Sequence, residues 1–206
     1  MILPLAELSN ILKKYVNVEK IFFGAQKLRE SLYINIYRGG YFLQINEMKH
    51  AHIETIQPVT NSEQIIEVIH AAFKRYETDP MPSSALSETS TTIEKELKDG
   101  ILIFGSYIKE ALVGVIKVTL YSDHLYFSRL AVIPSAQGKG IASAIIAYIE
   151  NFAIKQQIHH ITCKVRKSEA DNIRLYTKLG YQITKEEMTT SPLGFVMSAV
   201  TMEKNI

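Results

Sequence analysis

Three apolar runs between residues 101 and 133 limit the fold of this chain more than any other part of the sequence. They read ILIFGSYI, ALVGVIKVTLY and HLYFSRLAVI, and the first pair is joined through KE and the second through SDH. Parallel neighbours need a crossover of about a dozen residues or more, and these connections are far shorter. The three runs therefore predict an antiparallel meander.

The segments on either side of this meander alternate between helical and extended patterns. Ile65, Ile69 and Phe73 form one stripe of a helix over residues 62–76, and a loop rich in Pro, Ser and Thr follows at 77–90. A short helix begins at TTIE, where Thr91 and Glu94 resemble a capping box. The later elements are a helix over 138–155, a strand over 159–165, a helix over 169–179 and strands over 181–188 and 194–203. The order predicts a mixed α/β fold with a largely antiparallel central sheet flanked by helices.

The first 52 residues form a separate part of the pattern. Leu5, Leu8, Leu12 and Tyr15 recur at helical spacing, and SLYINIY and YFLQI flank a turn at RGG. We predict a helix-plus-hairpin extension over residues 1–52 and one main domain over 53–206. The apolar stripe needs cover, so we expect it to pack on the main domain or on a second copy in a homodimer. The extension shows no catalytic residue.

Charge and cysteine content exclude several classes of protein. Of the 23 basic and 21 acidic side chains, 7 and 4 precede residue 53, so neither part has the basic excess of a nucleic-acid surface. No apolar stretch reaches the ~18 residues of a membrane helix, and the first residues lack the basic leader of a secretion signal. Cys163 stands alone, which excludes a disulfide and a cysteine metal site, and the adjacent His159 and His160 face opposite sides of a strand. We expect a cytoplasmic protein with no metal.

The turn PSAQGKGIASA, residues 134–144, joins a strand to a helix and keeps its side chains small. The first turn of a helix has unpaired N–H groups and a partial positive charge, which together bind an anion that can come close. Gly138 and Gly140 remove the obstruction. A Walker loop does not fit, because Lys139 precedes Gly140, and a dinucleotide fold does not fit after an antiparallel meander. A glycine turn that only reverses the chain is the alternative.

Two motifs in the sequence make a chance match at this turn less plausible than a family resemblance. QGKGIA is preceded by LAVIP and followed about thirty residues later by ADNIRLYTKLGYQI. In this order and separation the pair resembles the GNAT family of N-acetyltransferases, over roughly Ile53 to Glu203. The resemblance implies an acyl-CoA N-acyltransferase fold, with acetyl-CoA as cosubstrate and an amine as acceptor.

The resemblance also implies a site. Gln137 would belong to the cosubstrate site, and the main-chain amides after it would hold the CoA pyrophosphate: Gly138, Lys139, Gly140, Ile141, Ala142 and Ser143. The pantetheine arm would pair with the backbone of Leu130, Ala131 and Val132, and Asn172 would bond its amides. Tyr176 would protonate the departing thiolate. From the residues alone, Tyr176 also suits core packing and Asn172 a helix start.

One family feature is missing from the sequence. Family members often place a glutamate on the strand that carries LAV, whereas this chain has Ser128 and Arg129 there. The general base therefore has no assignment, and Glu77, Asp79 and Glu88 in or beside the preceding loop are candidates. We expect direct acetyl transfer from acetyl-CoA to a primary amine of a small molecule or peptide, in a ternary complex. The alternatives are a non-catalytic acyl-CoA-binding regulatory protein and a plain interaction domain.

Overall fold

The computed structural model describes residues 55–206, so the predicted helix and hairpin of residues 1–52 lie outside the described part. Its helices and strands follow the predicted order closely. In chain order they are β1 (Thr55–Pro58), α1 (Ser62–Phe73), α2 (Ser90–Lys98), β2 (Leu102–Ile108), β3 (Ala111–Leu120), β4 (Leu125–Val132), α3 (Ile141–Lys155), β5 (His160–Arg166), α4 (Ala170–Lys178), β6 (Gln182–Thr190) and β7 (Val196–Asn205).

The strands form one seven-stranded sheet in the order β1-β2-β3-β4-β5-β7-β6. Every neighbouring pair is antiparallel except β4 and β5, which run parallel and are connected through α3. The predicted meander of β2, β3 and β4 is confirmed, and so is the mixed α/β fold class. Within residues 55–206, no helix combines the length and the apolar character needed to cross a membrane.

Two apolar clusters cover the sheet. One contains α3, whose Ile145, Ile146 and Ile149 are at most 1% exposed, together with strand residues such as Phe127. The other contains Ile65 and Ile69 of α1 with Ile93 of α2. Helix α3 lies very close to β3, because a Cβ atom on Gly114 would come within 3.0 Å of Ile145 and 3.1 Å of the Ala131 carbonyl oxygen. Burial of this kind stabilises by about 25 cal/mol per Å² of apolar surface.

Two helix starts differ from the sequence prediction. Helix α3 begins at Ile141 rather than at residue 138, because Gly138 and Gly140 adopt left-handed backbone angles, with φ of 73° and 80°. The capping box of α2 joins Thr89 to Thr92 rather than Thr91 to Glu94. The Thr89 N–H donates to the Thr92 hydroxyl over 2.8 Å, and the Thr92 N–H donates to the Thr89 hydroxyl over 3.2 Å.

Strand β4 carries a bulge that opens the sheet. Lys117 faces Ser128 and Val115 faces Ala131, so β4 spans three residue steps where β3 spans two. Arg129 in the bulge has a left-handed φ of 50°. Strand β4 pairs with β5 only from Leu125 to Phe127, and the two strands separate beyond that point. The separation leaves an opening between β4 and β5 that reaches the start of α3.

Candidate active site

Two cavities lie in the opening between β4 and β5. The first, here called the strand cavity, has a volume of about 170 Å³. The second, here called the glycine cavity, has a volume of about 330 Å³. The two share four residues in their walls: Phe73, Tyr76, Leu130 and Asn172. The two cavities are therefore direct neighbours.

The glycine cavity collects seven of the residues that the sequence predicts for acetyl-CoA binding: Leu130, Ala131, Val132, Gln137, Gly138, Ala142 and Asn172. Gln137 also fixes the end of β4, because its side-chain amide donates to the Val132 carbonyl over 2.9 Å. Lys139, Gly140, Ile141 and Ser143 do not line the cavity. The Ile141 side chain is 1% exposed in the core, and the Lys139 ammonium donates to the Ser135 carbonyl over 2.8 Å.

The start of α3 is electrostatically suited to an anion. Within residues 55–206, the backbone N–H groups from Gly138 to Ser143 donate to no backbone carbonyl, and the first turn of α3 contains no acidic side chain. A helix of 15 residues places roughly half a positive charge at this end. A Cβ atom on Gly138 would meet nothing within 4 Å. The loop can therefore accept a charged group against its main chain.

Tyr176 lies in the wall of the strand cavity, one helical turn after Asn172. Its side chain is 6% exposed, and its ring meets Phe127 edge-on with centroids 5.5 Å apart. Burial raises the pKa of Tyr176 far above its ordinary value, and the neighbouring Cys163 and Tyr76 add to the shift. The phenol thus stays protonated across the usual range of pH. Burial also raises the pKa of the Cys163 thiol to about 12, so this cysteine is a poor nucleophile.

Glu88, one of the three candidate bases, is held in an ion network. Its carboxylate contacts the Lys117 ammonium at 2.8 Å and the Arg129 guanidinium at 2.6 Å. Lys117 also contacts Glu96 at 2.5 Å, and Arg129 donates to the Ser84 hydroxyl over 3.0 Å. None of the three candidates, Glu77, Asp79 or Glu88, lines either cavity.

Several charged or polar residues line the strand cavity that the sequence patterns did not single out, among them Tyr76, Arg166 and Glu169. The Tyr76 hydroxyl donates to the Glu169 carboxylate over 2.6 Å, and burial with this hydrogen bond raises the pKa of Tyr76 to about 12. Arg166 donates to the carbonyls of Met81 and Pro82 over 2.7 and 2.9 Å. Arg166 is the last residue of β5, and Glu169 directly precedes α4. Their position at the ends of these elements, beside the parallel pair of strands, was the sequence signal that could have indicated a role in the site.

Comparison with known proteins agrees with this architecture. The model of the Acetyltransferase (GNAT) family matches residues 65–181. A search of the curated proteins found no match. Among solved structures, the ribosomal-protein-S18-alanine N-acetyltransferase of Escherichia coli superposes with a TM-score of 0.61 at 18% identity, over 74% of this chain and 93% of that chain.

Two further structures share the fold and were solved with a ligand. The PaiA N-acetyltransferase of Thermoplasma acidophilum, in complex with coenzyme A, has a TM-score of 0.61 at 18% identity, over 74% of this chain and 99% of that chain. A GNAT family acetyltransferase of Elizabethkingia anophelis, with acetyl-CoA bound, has a TM-score of 0.55 at 15% identity, over 74% and 97% of the two chains. At these identities the likeness establishes the fold.

Fold and family together settle the class of protein. The chain belongs to the GNAT acetyltransferase family, and it is an acetyl-CoA-dependent enzyme. Within residues 55–206, no group of three or more His, Cys, Asp and Glu side chains is placed to hold a metal ion.

The Glu88 network gives a prediction about stability. Glu88→Gln keeps the side-chain shape but removes the charge that pairs with Arg129 and with Lys117, which is 3% exposed. Because Glu96 still pairs with Lys117, we expect the free energy of unfolding to fall by about 1 to 3 kcal/mol in urea denaturation. Glu186→Gln, which removes an exposed partner of Lys167, is the control and should leave the urea midpoint unchanged. Equal midpoints for both variants would contradict a role for Glu88 in holding the bulge.

Proposed function

We propose that this enzyme transfers the acetyl group of acetyl-CoA directly to a primary amine within a ternary complex. The observation that carries the proposal is the pair of neighbouring cavities between β4 and β5: the glycine cavity beside the start of α3, and the strand cavity with Tyr176 in its wall. A thioester entering from one side and an amine entering from the other would meet beside the bulge of β4. Direct transfer needs only this proximity and a few positioned polar groups.

The glycine cavity fits the CoA end of the cosubstrate. The unpaired amides from Gly138 to Ser143 would hold the pyrophosphate at the start of α3. The pantetheine arm would lie along Leu130, Ala131 and Val132, where β4 has no hydrogen-bonded neighbour on its β5 side. Asn172 faces both cavities and would bond the amides of the arm. The ligands named for the Thermoplasma and Elizabethkingia structures, coenzyme A and acetyl-CoA, support the choice of cosubstrate.

The strand cavity fits the chemical step. The amine must lose a proton before it attacks, and the proton leaves through water or through Glu169, the one carboxylate among the described residues in this wall. A main-chain N–H near Leu130 or Ala131 would stabilise the oxyanion. As the C–N bond forms and the C–S bond breaks, the Tyr176 hydroxyl would donate its proton to the departing sulfur. The nitrogen then loses its second proton to water, and the Tyr176 phenolate regains a proton from water. The products are the N-acetylated amine and the CoA thiol.

The raised pKa of Tyr176 determines how this acid works. A thiol has an ordinary pKa near ~8.5, so full proton transfer from the buried phenol to a free thiolate is uphill. Donation therefore accompanies C–S cleavage rather than preceding it. An ordinary phenol with a pKa of about 10 would make kcat fall at alkaline pH. The raised pKa of Tyr176 moves that fall out of the usual pH range.

One observation favours a second candidate, a CoA-binding regulator without catalysis. Position 129 holds a guanidinium bonded to Glu88, where family members often have an acid. Release of free CoA thiol in the presence of amines separates the two candidates. We further propose a cytoplasmic enzyme that binds neither nucleic acid nor membrane and forms a homodimer. This part of the proposal rests on sequence patterns alone.

Cosubstrate binding is tested by an isosteric pair at Gly138. Asn and Asp both tolerate a left-handed backbone, but only Asp adds a negative charge in the wall of the glycine cavity. Acetyl-CoA at 100 times its Kd stabilises a folded protein by about 2.7 kcal/mol, which thermal denaturation detects as a rise in Tm. We expect Gly138→Asn to keep a measurable rise and Gly138→Asp to lose it. Equal rises in Tm for the two variants would contradict the assignment of this loop as the pyrophosphate site.

Acid catalysis is tested by removing one hydroxyl at a time from the same cavity. Tyr176→Phe keeps the ring that packs on Phe127 and deletes only the proton donor. We expect kcat to fall about 100-fold, near the lower end for general acid catalysis, with Kd for acetyl-CoA unchanged. Tyr126→Phe, in the wall of the same cavity, is the matched control and should keep kcat within about twofold of wild type. If Tyr176→Phe turns over at the wild-type rate, Tyr176 only packs in the core and does not act as the acid.

A further inference from the structure

The wall of the strand cavity contains one cation that no carboxylate neutralises within residues 55–206. Three basic side chains lie there: Arg129, Lys164 and Arg166. Arg129 pairs with Glu88 at 2.6 Å, and Lys164 pairs with Glu187 at 2.6 Å. Arg166 donates instead to two neutral carbonyl oxygens, those of Met81 and Pro82. These bonds orient the guanidinium and satisfy two of its N–H groups, but they leave its charge uncompensated.

The same turn of the chain carries an opposite charge to the cavity. The Glu169 N–H donates to the Arg166 carbonyl over 2.9 Å, and this bond closes a tight turn between β5 and α4. The Glu169 side chain is 18% exposed and accepts from Tyr76. Its cationic neighbour Arg75 lies 3.5 Å away and is 52% exposed, so water weakens that pair. The cavity therefore presents a cation and a carboxylate from the two ends of one turn.

Such an arrangement selects a ligand by its charges. A guanidinium in a concave, partly desolvated site attracts anions more strongly than it would in water. Its planar N–H groups match the two oxygens of a carboxylate. The cavity volume of about 170 Å³ suits a small acceptor rather than a folded surface. Tyr176 in the same wall places such an acceptor beside the reacting thioester.

We propose that the acceptor is a small amine that also carries a carboxylate, an amino acid or a related amino-carboxylate. Arg166 binds the carboxylate, and Glu169 receives the ammonium before it loses its proton. This inference rests on the proposed N-acetyl transfer and specifies its substrate class. The step balances as follows: the ammonium loses one proton to Glu169 or water, the C–N bond forms, the attached nitrogen loses a second proton to water, the C–S bond breaks, the sulfur takes a proton from Tyr176 and the phenolate regains one from water.

The test measures CoA thiol release by the full-length chain with matched acceptors. Glycine, β-alanine and γ-aminobutyrate are each compared with the corresponding carboxamide. Loss of the carboxylate lowers the pKa of the neighbouring amine, so each carboxamide offers more free amine at neutral pH. A preference for the carboxylate thus cannot come from amine basicity. We expect kcat/KM to be about 10- to 100-fold higher for at least one amino acid than for its carboxamide, the size of a charged hydrogen-bonded contact.

Two variants assign that preference to Arg166. Arg166→Met removes the charge and should raise KM for the carboxylate acceptor about 10- to 100-fold, while KM for the carboxamide stays constant. Lys164→Met removes a cation that already has a partner and should keep the preference. Arg166→Lys keeps the charge without the planar fork and should keep part of it. If Arg166 only held the loop at Met81 and Pro82, Arg166→Met would lower kcat/KM equally for the carboxylate and the carboxamide acceptor.

Each remaining outcome decides the matter. Equal kcat/KM for every amino acid and its carboxamide overturns the inference and leaves N-acetyl transfer standing. So does a peptide amine that is used better than all the amino acids. No thiol release with any amine, in a protein that still binds acetyl-CoA, overturns the proposed function and this inference with it. If Arg166→Met fails to fold, the comparison of acceptors in the wild-type chain still tests the substrate class.

Discussion

The contact between Glu88 and Arg129 holds the part of the sheet on which the site depends. Arg129 sits in the bulge of β4 with a left-handed φ of 50°, a conformation that costs an L-residue about 1 to 2 kcal/mol. Its guanidinium contacts Glu88 at 2.6 Å and Ser84 at 3.0 Å, and the same carboxylate contacts the buried Lys117 at 2.8 Å. One acidic side chain thus joins β3, the bulge and the loop over the strand cavity. The bulge stands where β4 and β5 separate.

That separation divides the site into two environments with different chemistry. At the start of α3, unpaired amides and the helix dipole favour a polyanion, and glycine keeps side chains away from it. In the strand cavity, burial keeps the Tyr176 phenol protonated, while Arg166 and Glu169 supply charge at the end of β5. The guanidinium at position 129 helps to hold the bulge and the loop. Position 129 therefore offers the site no carboxylate.

Local patterns in the sequence were enough to predict the meander, the order of helices and strands, and the glycine turn at the start of α3. Each of these depends on neighbours within a few residues. Patterns could not show which polar groups meet across the fold: Tyr76 and Glu169 lie 93 residues apart, and Arg166 and Met81 lie 85 apart. The capping box was misplaced by two residues because Thr89, Thr91 and Thr92 all suit a cap. Helix α3 begins later than predicted because Gly138 and Gly140 adopt left-handed backbone angles. The prediction considers only the small size of these glycines.

The most direct measurement is a crystal structure of the full-length chain with coenzyme A. The expected result places pyrophosphate oxygens about 3 Å from the N–H groups between Gly138 and Ser143, with the pantetheine amides bonded to the backbone of β4 between Leu130 and Val132. The sulfur should then lie within hydrogen-bonding reach of the Tyr176 hydroxyl. Coenzyme A bound away from the opening between β4 and β5, or a sulfur remote from Tyr176, would contradict the assignment of this opening as the active site.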